Sequence, residues 1–441
     1  MKRLLSLLLC AVLALFCATT AQAAGVSITL TASEYALHYA FDAGAQDPFV
    51  ILEYTTPAEK GWMMLYSEDG HFEGDVSLAY SGAGGKTSVA LTSARTTGSI
   101  GKASTTLPKA ADYQKPTGKS NAKVTDFVLT ETPEGFHYAF NAIGTDYMLL
   151  YWRSKEQTVT QPVYPDENGH YEGDVISDLT FARTQFTVQV KSGSGSMKKE
   201  ATVRKGYQAP EAPQRQEGRL SGVTVCIDAG HQENGRFVNE PIGPGLSGST
   251  SGKGGMAQGT KTNRRESIVC LEIGMLLRDE LLRQGANVVM TREDQMTFHT
   301  NIERCEIAEA GGAQIMLRLH CNNSSNRSKR GIQVYGPLNS DYAKAVADAD
   351  TYREMGQKLL DAMKTRVGIT LANSTGMVRL NDNYVGNNWA KMMCFLVEMG
   401  YLSNPAEEYL LVTPVYQQWL AEGMADGVYE IAVARGWVQA Q

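Results

Sequence analysis

The sequence predicts a multidomain chain: two tandem all-β modules of immunoglobulin-like sandwich type, then an α/β domain with a mostly parallel twisted sheet. Three observations predict it. Residues 26–100 and 125–199 align at an offset of 99 with no net gap. Within each copy the apolar spacing is two, the period of a strand with one buried face. From Val223 onward, short apolar runs alternate with longer segments of helical spacing, the pattern of parallel strands joined by crossover helices.

The N-terminus comes first. Met1-Lys2-Arg3 precedes the apolar run Leu4 to Phe16 and then Ala21-Gln22-Ala23. These are the charged, apolar and small-residue parts of a secretory signal, 1–23, cleaved after Ala23. The apolar run is short for a bilayer span. Cys17 follows the bulky pair Leu15-Phe16, which argues against a lipoprotein anchor. No other stretch reads as transmembrane, so the mature chain is expected to be secreted, with no membrane span. A length of 441 residues exceeds one typical domain, and 43% hydrophobic with 20% charged residues is ordinary globular composition. Losing Lys2 and Arg3 moves the formal charge from −6 to −8, which disfavours nucleic acid as a partner. The mature chain keeps Cys226, Cys270, Cys305, Cys321 and Cys394. An odd count without regular spacing argues for buried small hydrophobes and against a disulfide framework.

The repeat defines modules at 24–101 and 123–203. Leu37-His-Tyr-Ala-Phe41 matches Phe136-His-Tyr-Ala-Phe140, and Asp69-Gly-His-Phe-Glu-Gly-Asp-Val76 matches Asn168-Gly-His-Tyr-Glu-Gly-Asp-Val175. Leu37, Tyr39 and Phe41 face one core; Phe136, Tyr138 and Phe140 face the other. Asp69-Gly70 and Asn168-Gly169 read as hairpin turns between strands. The paired histidines, His38/His137 and His71/His170, raise a metal reading, but a polar phase beside a turn is by default a solvated face. The modules carry no cluster of acid, base and nucleophile. They read as spacers or surface-binding modules. Polar, Pro-containing linkers are expected at 101–122 and 203–219.

The α/β domain is placed at 220–438. Strands are expected at 223–227, 287–291, 314–319, 331–335 and 393–397, with helices at 265–284, 301–310, 341–366 and 413–435. In the first helix Ile268, Leu271, Met275 and Leu282 form one apolar stripe, and Gly285 is placed to cap its end. The loop at 232–262 is rich in Gly, Ser and Thr and is expected to be mobile and to border a cleft.

Chemistry gathers at strand tips. Val225-Cys-Ile-Asp-Ala-Gly-His231 and Ile315-Met-Leu-Arg-Leu-His320 are apolar strands ending on histidine, and Cys394-Phe-Leu-Val-Glu398 ends on a carboxylate. Open α/β sheets place their chemistry at such ends. A catalytic zinc takes three protein ligands and leaves one position open. His231 and His320 supply two, and Glu266, at the start of the first helix, is the candidate third. Glu266 could instead close a capping box with Asn263. A carboxylate ending a buried strand is costly unless paired or functional, so Glu398 is the candidate general base. Asp228 is a candidate to orient His231 or to support the turn. Cys321 should face away from His320, on the other side of its strand.

These residues resemble the zinc-dependent N-acetylmuramoyl-L-alanine amidases of the amidase-3 family. The likeness runs through Ile227-Asp-Ala-Gly-His231, Glu266, Thr291-Arg292, Arg304, Leu319-His320-Cys-Asn322, Gly331-Ile-Gln-Val-Tyr335 and Leu396-Val-Glu-Met-Gly-Tyr-Leu-Ser-Asn-Pro405. Ala229 stands where the family has proline and Cys321 where it has a small residue; neither change removes a ligand. The resemblance implies one zinc held by His231, Glu266 and His320, with Glu398 catalytic. It adds Asn322 and Arg292, with Asp228, as residues that contact substrate or support the ligands. It implies a secreted, wall-associated hydrolase that cuts the amide between N-acetylmuramic acid and L-alanine in peptidoglycan, zinc-activated water attacking the carbonyl with Glu398 as base. The rival readings are a zinc peptidase acting on stem peptides and a catalytically inactive wall-binding protein.

Overall fold

The computed structural model describes residues 19–22, 25–33, 36–57, 60–78, 84–109, 123–132, 135–143, 148–153, 158–163, 165–176, 184–192, 198–205, 210–232, 238–250, 255–368 and 377–440. The expected signal at 1–23 lies outside these residues, except that the backbone of Thr19–Gln22 pairs antiparallel with Ser27–Ala32.

In the first module, Ser27–Ala32, Ala36–Asp42 and His71–Ser77 form one antiparallel sheet. A second runs in the order Lys60–Tyr66, Phe49–Thr55, Gly85–Ser93, Ser99–Leu107. Alternate residues of both, among them Leu30, Tyr39, Phe41, Val50, Leu52, Val89 and Leu91, join one buried core. The second module repeats this strand order, with Lys123–Thr132, Gly135–Ile143 and His170–Ile176 in one sheet and Thr158–Val163, Met148–Arg153, Thr184–Ser192 and Lys198–Lys205 in the other.

Two expectations change here. Asp69-Gly70 and Asn168-Gly169 do not close hairpins, because the strands they join lie in different sheets. The left-handed glycines, at φ 82° and 79°, turn the chain from one sheet to the other. Ser99–Leu107 also runs through the expected boundary at 101. Its inward residues are Gly101, Ala103, Thr105 and Leu107, too weakly apolar to betray a strand.

The C-terminal region builds a six-stranded sheet from β1 (Thr224–Ala229), β2 (Asn287–Met290), β3 (Ile315–Asn322), β4 (Gln333–Gly336), β5 (Met377–Leu380) and β6 (Met393–Tyr401). The order is β2-β1-β3-β6-β4-β5. β2, β1, β3 and β6 are parallel; β4 runs antiparallel to β6, and β5 follows β4. The sheet is therefore mixed. Residues 323–332 joining β3 to β4 hold no helix, and a parallel crossover needs a dozen or more residues. β1, β3 and β6 are apolar runs because helices cover both faces of such a sheet. α1 (Glu266–Arg283) and α2 (Asn301–Ala310) are the first two crossovers. The expected helix at 341–366 is two, α3 (Asp341–Val346) and α4 (Ala349–Val367). Ala347 is extended, and the Asp348 side chain caps α4 by accepting from the Thr351 amide at 2.7 Å. Periodicity missed β5 and the single-turn helices α5 (Val385–Trp389) and α6 (Glu407–Leu411); α7 (Pro414–Ala434) agrees with it. The five cysteines are buried and unbridged.

The linker before this domain is not loose throughout. Arg278 donates to the carbonyl of Pro210, Arg215 to that of Gly285, and the Gln216 amide to that of Leu282. Arg219 pairs with Asp426 and stacks on Tyr429 at 4.5 Å.

Candidate active site

The connection from β1 to β2 leaves on one side of β1, and β3 pairs on the other. This is the topological switch point, where open α/β sheets bind ligands beyond their strand ends. His231 follows β1, His320 lies in β3, and Glu398 lies in β6 directly beside His320 in register.

Gly230 makes the approach possible. Its amide donates to the Leu319 carbonyl at 2.9 Å. A Cβ there would meet that oxygen at 2.4 Å and the His320 ring at 2.6 Å. His231 then takes the left-handed backbone at φ 56°, an uncommon state for a residue with a Cβ and one that clusters at functional sites.

Glu266 closes the set. Its Oε2 is 3.1 Å from His231 Nε2, and its Oε1 is 3.0 Å from His320 Nδ1. The imidazoles meet edge to face with centroids 4.9 Å apart. One donor atom from each of the three residues lies within 4.8 Å of the others, a possible His–Glu–His metal site. The carboxylate also accepts from the amides of Ala257 and Cys321, at 2.8 and 3.0 Å. The capping box with Asn263 does not form: Arg265 is the N-cap, and it makes no side-chain cap bond. Burial alone would raise the Glu266 carboxyl, but hydrogen bonds and charge from His231 and then His320 hold it well below the usual range. Burial lowers His320, favouring the neutral imidazole that a metal requires.

Glu398 differs from every other group in the cleft. Its Oε2 is buried without a hydrogen-bond partner. Burial, then the nearby Glu266 charge, push its carboxyl well above the usual range. A buried carboxylate oxygen with no partner requires an explanation, and it lies beside the metal-type donors. Together they line a cleft of about 640 Å³ that also receives Asn322, Arg304, Arg318 and Tyr384.

The other sequence candidates spread out. Asn322 lines the cleft, bonded to Gln333 at 3.2 Å. Arg292 does not line it. Its buried guanidinium donates to the carbonyls of Ala229, Gly230 and Ser267, pinning the turn before His231 to α1. Asp228 does not bond the His231 ring. It is fully buried and holds Thr291 at 2.7 Å, Arg318 at 2.9 Å and Arg304, which in turn donates to the His231 carbonyl. Charge and hydrogen bonds from Arg304 and Arg318 overcome burial and keep Asp228 ionised. The Cys321 thiol bonds that of Cys270 in α1, although Cys321 itself is among the residues that line the cleft.

Sequence reading missed Arg318, although a lone charge inside an apolar strand is a signal that a buried counter-charge exists. It also missed Glu240 and Glu408, which tie down the long loop. Glu240 accepts from the amides of Asn301 and Ile302 in the first turn of α2, whose N-cap is Thr300, and Glu408 accepts from the amides of Lys261 and Thr262. The described parts of the loop are thus anchored at both ends, and Thr250, Gly255, Met256 and Ala257 wall the cleft. The loop borders the cleft as expected, and two buried carboxylates hold its described parts with acceptors that its composition does not reveal; residues 233–237 and 251–254 lie outside the described residues.

Known proteins resemble this half of the chain. Residues 225–430 match the family model described as N-acetylmuramoyl-L-alanine amidase. The germination-specific N-acetylmuramoyl-L-alanine amidase of Bacillus subtilis is 26% identical over 231 residues, 49% of this chain and 83% of that protein. The probable cell wall amidase LytH of Staphylococcus aureus is 26% identical over 218 residues, covering 48% of this chain and 60% of its own. Among solved structures, the N-acetylmuramoyl-L-alanine amidase from Clostridium difficile 630 aligns with 48% of this chain and 96% of its own, at 24% identity and a TM-score of 0.38.

Proposed function

Residues 225–430 belong to the N-acetylmuramoyl-L-alanine amidase family, and on that premise we propose that this chain is a cell-wall amidase. It cuts the amide between N-acetylmuramic acid and L-alanine in peptidoglycan. The observation that carries the reading is the unpartnered, buried Glu398 oxygen beside the His231, Glu266 and His320 donors. Two imidazoles and one carboxylate meeting in a cleft are the donor set of catalytic zinc, so the residues fit one zinc per domain. Bound there, zinc supplies Lewis acidity for amide hydrolysis.

The protein's own groups do the rest. Arg292 and Gly230 hold the turn that presents His231. Glu266 is fixed by two backbone amides before any ligand arrives. Glu398 takes the proton of the attacking water on its free oxygen and passes it to the leaving nitrogen of L-alanine. Burial raises the proton affinity of Glu398, which favours its holding the proton between the two transfers. Asn322 is positioned to meet substrate; Asp228 and Arg292 support the ligand-bearing segments.

The remaining assignments are also our reading. Residues 1–23 form a secretory signal, 24–101 and 123–203 immunoglobulin-like modules that direct the enzyme to the wall or to a protein partner, and 220–438 the catalytic domain. Secretion is supported by the N-terminal pattern; among the described residues no helix is long and apolar enough to cross a membrane. The test is digestion of soluble muropeptides followed by mass spectrometry. Release of stem peptides with a free L-alanine amine is expected. Cleavage inside the stem would mean a peptidase, and no cleavage by the zinc-loaded protein would mean a wall-binding protein.

A further inference from the structure

The two β modules carry the same arrangement of polar side chains on the face turned away from their cores. In the first, His38, Ala40 and Asp42 alternate along one strand, and His71, Glu73 and Asp75 along its neighbour. Register sets His38 opposite Asp75, Ala40 opposite Glu73 and Asp42 opposite His71. His38 Nδ1 lies 3.1 Å from Asp75 and His71 Nδ1 2.7 Å from Asp42. Both Nε2 atoms turn to Glu73, one at 3.4 Å from Oε1 and the other at 3.6 Å from Oε2. The second module repeats it. His137 Nδ1 is 2.9 Å from Asp174, and His170 Nδ1 is 2.8 Å from Asn141. The two Nε2 atoms lie 3.5 and 3.6 Å from the oxygens of Glu172, which is opposite Ala139.

A solvated sheet face needs only polarity, and any polar residue would supply it. It does not require two imidazoles to offer the same nitrogen to one carboxylate, nor to do so in both copies. An oxygen at Nδ1 leaves Nε2 as the ring nitrogen open to a metal, which is how metal-binding histidines are held, and here each Nε2 faces the carboxylate shared within its module. Ala40 and Ala139 leave the centre of each group open. We propose that each module binds one divalent cation of the zinc class, through His38, His71 and Glu73 in the first and His137, His170 and Glu172 in the second. Imidazole with carboxylate suits such ions. Among the described residues only His231, Glu266 and His320 are already gathered as a metal-type set, with donor atoms within 4.8 Å of one another. All six module side chains are partly exposed, with values from 31% to 61%, so they close on an ion by rotamer changes. Binding is therefore weaker than in the cleft.

The test uses the full chain, stripped with a chelator and re-equilibrated with zinc chloride at neutral pH. Native mass spectrometry counts the bound ions. Three are expected for the wild type and one for His71→Ala/His170→Ala, with turnover of soluble muropeptides unchanged. Glu73→Gln/Glu172→Gln, which keeps side-chain size, should also hold one. Circular dichroism confirms that the variants are folded. Folded module variants that do not bind two ions fewer than the wild type overturn the proposal, whatever the cleft itself holds. Glu266→Ala should remove one ion and leave two, so failure at the cleft is distinguishable from failure here.

Discussion

Replacing Glu398 with glutamine should make the metal-free protein more stable and the enzyme nearly inactive. In the metal-free fold the wild-type carboxyl is buried with one oxygen unpartnered, and burial holds its proton affinity well above the usual range. The sign follows from linkage. A carboxyl raised on folding contributes stability that is full below the unfolded value, about 4.3, and is lost as pH rises toward the folded value. Glutamine keeps the shape and cannot ionise. Each tenfold rise in the proton affinity of Glu398 on folding costs about 1.4 kcal/mol at neutral pH, and a domain of this size shifts by about 2–4 °C per kcal/mol. Glutamine removes that cost, so the chelated variant should melt about 3–6 °C higher at neutral pH for each such tenfold rise, the gain shrinking below about pH 4. Turnover should fall by about 10²–10⁴, the worth of general acid–base catalysis, or about 3–5 kcal/mol of barrier. Calorimetry of chelated protein, zinc content and turnover on soluble muropeptides are measured together. A variant that melts lower than wild type, loses zinc or keeps its rate would refute the role given to Glu398.

Other perturbations separate the remaining parts. Glu266→Ala should lose zinc and activity, and excess zinc should restore them only in part, because His231, His320 and two backbone amides lose a shared acceptor; metal analysis decides it. Gly230→Ala should cost about 1–3 kcal/mol as an overpacked contact and lower zinc affinity, since its Cβ would enter the His320 ring; unchanged melting and zinc affinity would contradict this. Glu240→Ala should leave the Asn301 and Ile302 amides at the α2 N-terminus without their charged acceptor, a loss of about 1–3 kcal/mol, and change substrate preference more than zinc content, read from melting curves and muropeptide profiles. A fragment beginning at residue 210 should cleave soluble substrate and melt higher than one beginning at 220, which lacks Arg215 and Arg219; equal melting would show that these anchors contribute nothing.

The sequence by itself determined the parts whose signal is local. Repetition at a fixed offset disclosed two like modules. Period-two alternation disclosed their strands, and long apolar stripes disclosed α1, α2, α4 and α7. It also marked His231, His320 and Glu398, because a polar residue ending an apolar strand is expensive unless it is used. What it left to the tertiary structure depends on pairing between distant segments. Strand pairing put Glu398 beside His320, and the short connection after β3 turned β4 antiparallel. The role of Glu266 was undecided along the chain, since a helix cap and a ligand need the same residue; the approach of His231 and His320 settled its partners. Asp228 and Arg292 were legible as polar residues near the site, but the atoms they hold belong to other strands and to α1. The loop looked free because its composition lacks apolar anchors, yet Glu240 and Glu408 hold its described parts through backbone amides that no side-chain pattern reports. Likewise, two pairs of histidines on a polar phase say nothing of which nitrogen faces which carboxylate; cross-strand register decides that.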